Sequence, residues 1–110
     1  MTDVKDDNKS RLPRTDIDKI IHEPARLKIL AQLYVVENAD VIFLIKRTGL
    51  TQGNLSTHMS KLEAAEYIEI RKEFVNKKPH TLLSLSDKGR SAFRSYIKNM
   101  KEAFEELIDW

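Results

Sequence analysis

Apolar and polar positions change period several times along the chain, and each change marks an element. Residues 1–14 are polar, mixed in charge and nearly free of apolar side chains, so they are predicted to be a disordered tail ahead of one folded unit, residues 15–110. From Asp16 the chain turns apolar, with Ile17, Ile20 and Ile21 on one helical face. Pro24 suits the first turn of a new helix, where its missing amide costs nothing. That helix, residues 25–36, carries Leu27, Ile29, Leu30, Leu33 and Tyr34, a stripe broad enough for the centre of a core. Residues 40–48 form an apolar run of helix length that stops at Gly49. A further helix follows, ending near Glu66, with Leu55, Met59 and Leu62 at i, i+4 and i+7.

The period then shortens. Ile68, Ile70 and Phe74 are the apolar alternates of a strand over residues 67–74, and residues 81–85 begin a second extended run. Residues 75–80 between them make a short basic loop, with Pro79 at an edge position beside the strand start. Ser86 and Asp87 supply an N-cap and a first-turn acid for a long helix running toward Trp110. In it Phe93, Tyr96, Ile97, Met100, Phe104, Leu107 and Ile108 recur every three or four residues. A helix of that length outlasts a core of this size, and its far half needs another surface. The simplest is the same helix of a second copy, giving a homodimer seam of Ile17, Ile20, Ile21, Phe93, Ile97, Met100, Phe104, Leu107 and Ile108. The alternative is a helix folded back on its own domain. The expected fold class is mainly α with a small β-hairpin.

The apolar run, the Gly49 turn and the capped second helix follow the helix-turn-helix plan, in which the second helix enters a DNA groove. Thr51 is placed as its N-cap, and the free amides of that terminus can hold a phosphate. Opposite the apolar stripe lie Gly53, Asn54, Thr57, Ser60 and Lys61, short polar side chains suited to close approach to base edges. The candidate DNA-reading set is Thr51, Gln52, Gly53, Asn54, Ser56, Thr57, His58, Ser60 and Lys61. In the hairpin it is Arg71, Lys72, Lys77, Lys78 and His80.

Charge supports that reading by its distribution. The formal net charge is only +2, but residues 46–90 hold nine basic side chains against five acidic. A hydrophobic share of 41% and a charged share of 33% describe a soluble globular chain, and its 110 residues suffice for one core. There is no cysteine, which excludes disulfides, thiol switches and thiolate metal sites. No stretch approaches the roughly 20 apolar residues that span a bilayer, and a cytoplasmic location is expected.

On these residues the chain resembles winged-helix transcriptional regulators, the small group near the MarR and ArsR families. The match is most specific over residues 48–56, followed by His58, Leu62, Glu63, Tyr67 and Ile68. Residues 77–81 and 85–90 resemble the wing and the start of the closing helix, and the whole likeness covers roughly residues 20–108. It implies a homodimer with one recognition helix per subunit in the major groove and wings along the flanking backbone or minor groove. Two departures stand out. Glu66 occupies the position where the family usually has a left-handed Gly, so the recognition helix is expected to end differently or at a cost of about 1 kcal/mol. His80 stands where the family often has Arg, which removes a permanent charge.

No catalytic constellation emerges. His22, His58 and His80 fall on three elements without ligand spacing, and there is no Gly-rich phosphate loop or paired-carboxylate motif. No enzyme activity, metal or cofactor is expected. A small-molecule effector is left open by the apolar seam between first and last helices, which suits either a pocket or a packed interface. The competing function is a winged helix used as a protein-interaction module. That use would call for large apolar or acidic side chains on the recognition face, which here is small, polar and partly basic.

Overall fold

The computed structural model describes residues 17–108. Among them are helices α1 (Pro24–Val35), α2 (Val41–Thr48), α3 (Gln52–Ala64) and α4 (Asp87–Ile108), and strands β1 (Ala39–Asp40), β2 (Ile68–Val75) and β3 (Lys78–Leu85). The strands form one antiparallel sheet in the order β1-β3-β2. The expected tail at residues 1–14 and the end of the chain at residues 109–110 lie outside the described residues.

Residues 17–23 are not the helical face that the isoleucine spacing suggests. They form a turn in which Asp18 Oδ1 accepts from the amides of Ile20 and Ile21 at 2.9 and 3.3 Å. Proline disfavours a helical residue before it, and Glu23 is extended at φ −153, ψ 129. Its carboxylate then caps α1 by accepting from the Arg26 amide at 2.7 Å, with Pro24 in the first turn. The apolar side of α1 delivers Ile29, Leu30 and Leu33 to the centre of the core, where they meet Ile21, Leu44, Leu55, Leu62 and Leu83, all without solvent contact.

Asp40 stands just ahead of α2 and is its N-cap, accepting from the Phe43 amide at 2.7 Å. With Ala39 it forms a two-residue strand, unforeseen in the sequence, that pairs with Leu82 and Leu83. Gly49 ends α2 in the left-handed conformation, φ 75, and Thr51 caps α3 by accepting from Asn54 N at 3.1 Å.

The hairpin is longer and tighter than expected. Asn76 and Lys77 are both left-handed, φ 53 and 66, which makes a two-residue type I′ turn and lets pairing run to Val75 and Lys78. Lys78, Pro79 and His80 therefore belong to β3 and not to a loop. The pair Phe74 and Pro79 is next to the closing pair, a position that exchanges no ladder bonds in such a hairpin, so the missing proline amide is harmless.

Glu66 keeps the left-handed conformation, φ 65. The end of α3 is a complete Schellman motif: the Tyr67 amide donates to Leu62 O at 2.9 Å and the Glu66 amide to Glu63 O at 2.8 Å. The helix is thus terminated in the family manner in spite of its side chain. Across this corner α4 starts, with Ser86 Oγ accepting from the Gly89 amide at 2.9 Å. A Cβ on Gly89 would lie 2.0 Å from Tyr67 O, so only glycine allows this packing. Further along, Phe93 and Tyr96 are buried, Tyr34 and Phe93 approach ring to ring at 5.3 Å, and Arg94 Nε donates to the Tyr34 hydroxyl at 2.9 Å.

Because a Cβ at Glu66 adds strain that its exposed ion pair with Lys88 offsets little, Glu66→Gly should raise the unfolding free energy by about 1 kcal/mol. Urea denaturation of the two proteins reads this directly, and a loss of stability would show that the Lys88 contact outweighs the strain.

Candidate nucleic-acid interface

Burial of Leu55, Met59 and Leu62 fixes which side of α3 faces outward. Thr51, Gln52, Gly53, Asn54, Ser56, Thr57, Ser60 and Lys61 are all exposed, and the structure brings these eight expected residues together on one surface. Gly53 has open space where a Cβ would stand, so nothing within the chain requires a glycine there. Thr57 Oγ1 donates to Gly53 O at 3.0 Å, so its hydroxyl hydrogen is engaged while the residue stays exposed.

His58 is the exception. Its ring is turned toward α1, where Nδ1 lies 3.2 Å from Arg26 Nη1 and 3.9 Å from Glu23 Oε1. Arg26 is only 8% exposed, and its Nε donates to Ile20 O at 2.5 Å. A buried guanidinium needs acceptors, and His58 supplies one through Nδ1. Of the two roles open to this residue, packing and a phosphate contact, the structure shows packing: His58 ties α3 to the scaffold. Acceptance of the Arg26 amide, assisted by the Arg26 charge, lowers the Glu23 carboxyl below its ordinary 4.5. That contribution is present above the unfolded carboxyl's range and fades as pH falls through the folded value.

In the hairpin the expected basic set divides. Arg71 is paired with Glu73 on the same strand, and His80 Nδ1 faces Asp40 Oδ2 at 3.8 Å, beside the cap of α2. Lys72, Lys77 and Lys78 are exposed and make no ion pair among the described residues. A groove of about 680 Å³ runs between α3 and the hairpin. Gln52, Ser56 and Ser60 line one side and Lys72, Pro79 and Thr81 the other, with Leu55 and Met59 also on its lining. Phe74, the last apolar alternate of the strand, projects past the core and is 79% exposed. Its exposure follows from the length of the ladder, which the sequence alternation continues beyond the last residue that the core can cover.

The expected pairing seam also divides. Ile21 and Phe93 are buried inside the chain's own core and are withdrawn from any seam, and Ile20 packs against that core. Ile17, Ile97, Phe104, Leu107 and Ile108 remain exposed, and Met100 is half-buried. Between the turn at Ile17 and α4 lies a small cavity of about 190 Å³ lined by Asp18, Ala92, Tyr96 and Met100 among others. Nearby, His22 Nδ1 is 2.8 Å from the Tyr96 hydroxyl, and the Tyr67 hydroxyl donates to Asp18. Desolvation, helped by that carboxylate, pushes the Tyr67 hydroxyl up to about 12. The three histidines occupy three separate settings, and no helix among the described residues is long and apolar enough to cross a membrane.

This arrangement is found in known proteins. The family model described as the winged helix DNA-binding domain matches residues 25–104. An uncharacterized protein of Methanocaldococcus jannaschii is 38% identical over 79 residues, covering 72% of this chain and 86% of the relative. The solved structure of a transcriptional regulator homologue from Pyrococcus horikoshii OT3 superposes with a TM-score of 0.76 at 25% identity, covering 97% of this chain and 98% of that one. A MarR family transcriptional regulator from Silicibacter pomeroyi shares the fold, with a TM-score of 0.63 at 17% identity, over 97% of this chain and 70% of that one.

Removing the imidazole should act on stability through Arg26. His58→Ala leaves a buried charged donor short of an acceptor and should cost about 1–3 kcal/mol in urea unfolding. An unchanged midpoint would mean that water replaces the ring at no loss.

Proposed function

The chain belongs to the winged helix DNA-binding domain family, and from that premise we propose that it is a sequence-specific regulator of transcription acting on double-stranded DNA as a homodimeric repressor. The observation that carries the reading is the outer face of α3, seven exposed small, polar or basic residues and a glycine with open space above it. Such a face lets the helix backbone come close enough to the major groove for short side chains to reach base edges. Asn54 and Thr57 are the base readers in this proposal. Thr57, with its hydrogen engaged, accepts from base amino groups or packs on a thymine methyl. Thr51, Gln52, Ser56, Ser60 and Lys61 flank them, and the start of α3 offers its free amides to a phosphate.

The hairpin acts as the wing. Lys72, Lys77 and Lys78 are its exposed point charges and hold phosphates, which position the protein without reading sequence. Arg71 and His80, engaged by Glu73 and Asp40, take a smaller part.

Pairing of two copies is supported by the far half of α4. Ile97, Met100, Phe104 and Leu107 follow a spacing of three or four residues, and all four lie beyond Tyr96, the last buried residue of the core. Exposed apolar side chains at such spacing suit packing against a like helix. Repression follows from occupancy: a dimer lying across a promoter excludes other proteins from it.

Two measurements check this. Cutting the chain after Lys98 should convert a dimer into a monomer or an unstable fold. If the intact protein sediments as a monomer at tens of micromolar, the paired model fails, and with it a pseudopalindromic site with half-sites about one DNA turn apart. Affinity against log salt, on the protein's own upstream DNA and on scrambled duplex, separates helix from wing. Asn54→Ala should relax preference at one base pair by about 1–3 kcal/mol at most, whereas changing Lys77 and Lys78 together to Ala should weaken both duplexes and reduce the salt slope by roughly two counterions. The reverse pattern would exchange the two roles.

A further inference from the structure

We propose that the wing ends in an apolar wedge: Phe74, with Pro79 directly across the ladder, enters the minor groove and leans into a base-pair step while the neighbouring lysines hold the phosphates. This rests on the DNA-binding reading above and adds a mode of contact that the lysines alone do not provide.

Four observations lead to it. First, Phe74 is a large aromatic side chain left 79% exposed on a regular strand. Second, it lies on the face of the hairpin that looks toward the recognition helix. Ile68, Ile70, Lys72 and Phe74 alternate along that face opposite Leu85, Leu83, Thr81 and Pro79. The inner pairs belong to the core or pack against it, and Lys72, Thr81 and Pro79 line the groove shared with Gln52, Ser56 and Ser60 of α3. A duplex seated on α3 therefore meets this end of the hairpin. Third, the ladder is unbroken up to a two-residue turn, so the tip is held outward and does not fold back to cover the ring.

Fourth, the surroundings are cationic. Between residues 71 and 80 the chain has Arg71, Lys72, Lys77 and Lys78 against Glu73 alone, and Glu73 is already paired with Arg71. A second copy would bring the same lysines to the same place and be repelled. A polyanion with an apolar interior reachable between its phosphates fits both the charges and the ring. Phe and Pro are among the side chains that unstack a step from the minor groove and kink the duplex by about 20–90°.

The test uses the full chain as wild type, Phe74→Ala and Phe74→Leu, with the protein's own upstream duplex and a scrambled one. Anisotropy measures affinity, and 2-aminopurine placed at successive steps reports unstacking. Phe74→Ala should bind at least about ten-fold more weakly with an unchanged salt slope and lose the 2-aminopurine signal, while Phe74→Leu, still a wedge, should keep most of both. Wild-type affinity and signal in Phe74→Ala overturn the inference and leave the DNA-binding reading standing. So does a ten-fold loss with no unstacked step in the wild-type complex, or a drop of Phe74→Ala to the monomer in sedimentation, which places the ring between copies. If the wild type binds neither duplex, the functional reading fails and the wedge with it.

Discussion

The backbone of two residues, Glu66 and Tyr67, sets where three elements point. The Schellman bonds from Glu66 and Tyr67 close α3 and turn the chain into β2. Twenty residues later Ser86 returns to the same place, its amide donating to Tyr67 O at 3.1 Å and its hydroxyl to Glu66 O at 2.6 Å. Gly89 then packs on the Tyr67 carbonyl at a distance that admits no side chain. The recognition helix, the base of the hairpin and the first turn of α4 are therefore fixed against each other through backbone groups.

The other end of the recognition helix is held differently. Gly49 and Thr51 set its start locally, while Arg26 and His58 bind its middle to α1. A helix held at its start, middle and end presents its outer residues in one orientation. Preorganisation of that kind reduces the ordering cost of association.

What was legible in the sequence follows from which forces are local. Caps and breakers act within a few residues, so Pro24, Gly49, Thr51 and Ser86 could each be assigned from neighbours alone. The stripe at Leu55, Met59 and Leu62 likewise determined the outward face of α3 before any tertiary contact was known. The errors arose where a distant partner decides. β1 exists only because Leu82 and Leu83 offer a ladder to Ala39 and Asp40, and two residues carry no period of their own. The sequence left His58 open between packing and a phosphate contact, and a buried guanidinium 32 residues away, which needs an acceptor, turns it inward. Ile21 and Phe93 share the spacing of a pairing seam, yet depth in the fold assigns them to the core. The hairpin loop was overestimated because Lys at the second left-handed position of a type I′ turn replaces the glycine that usually announces it.

The contrast between two of the glycines has a bearing on how such a chain tolerates genetic drift. Gly89 is held in place by folding itself, since any larger residue collides with the Tyr67 carbonyl. Gly53 sits in a helix with room above it, where alanine would strengthen the helix by up to about 1 kcal/mol. Selection for abundance or heat resistance alone would thus discard Gly53 and keep Gly89, whereas selection for regulation has reason to keep both. If α3 carries the proposed DNA contact, the two positions would separate along different axes in a deep mutational scan, one marking what the chain needs to fold and the other what it needs to touch.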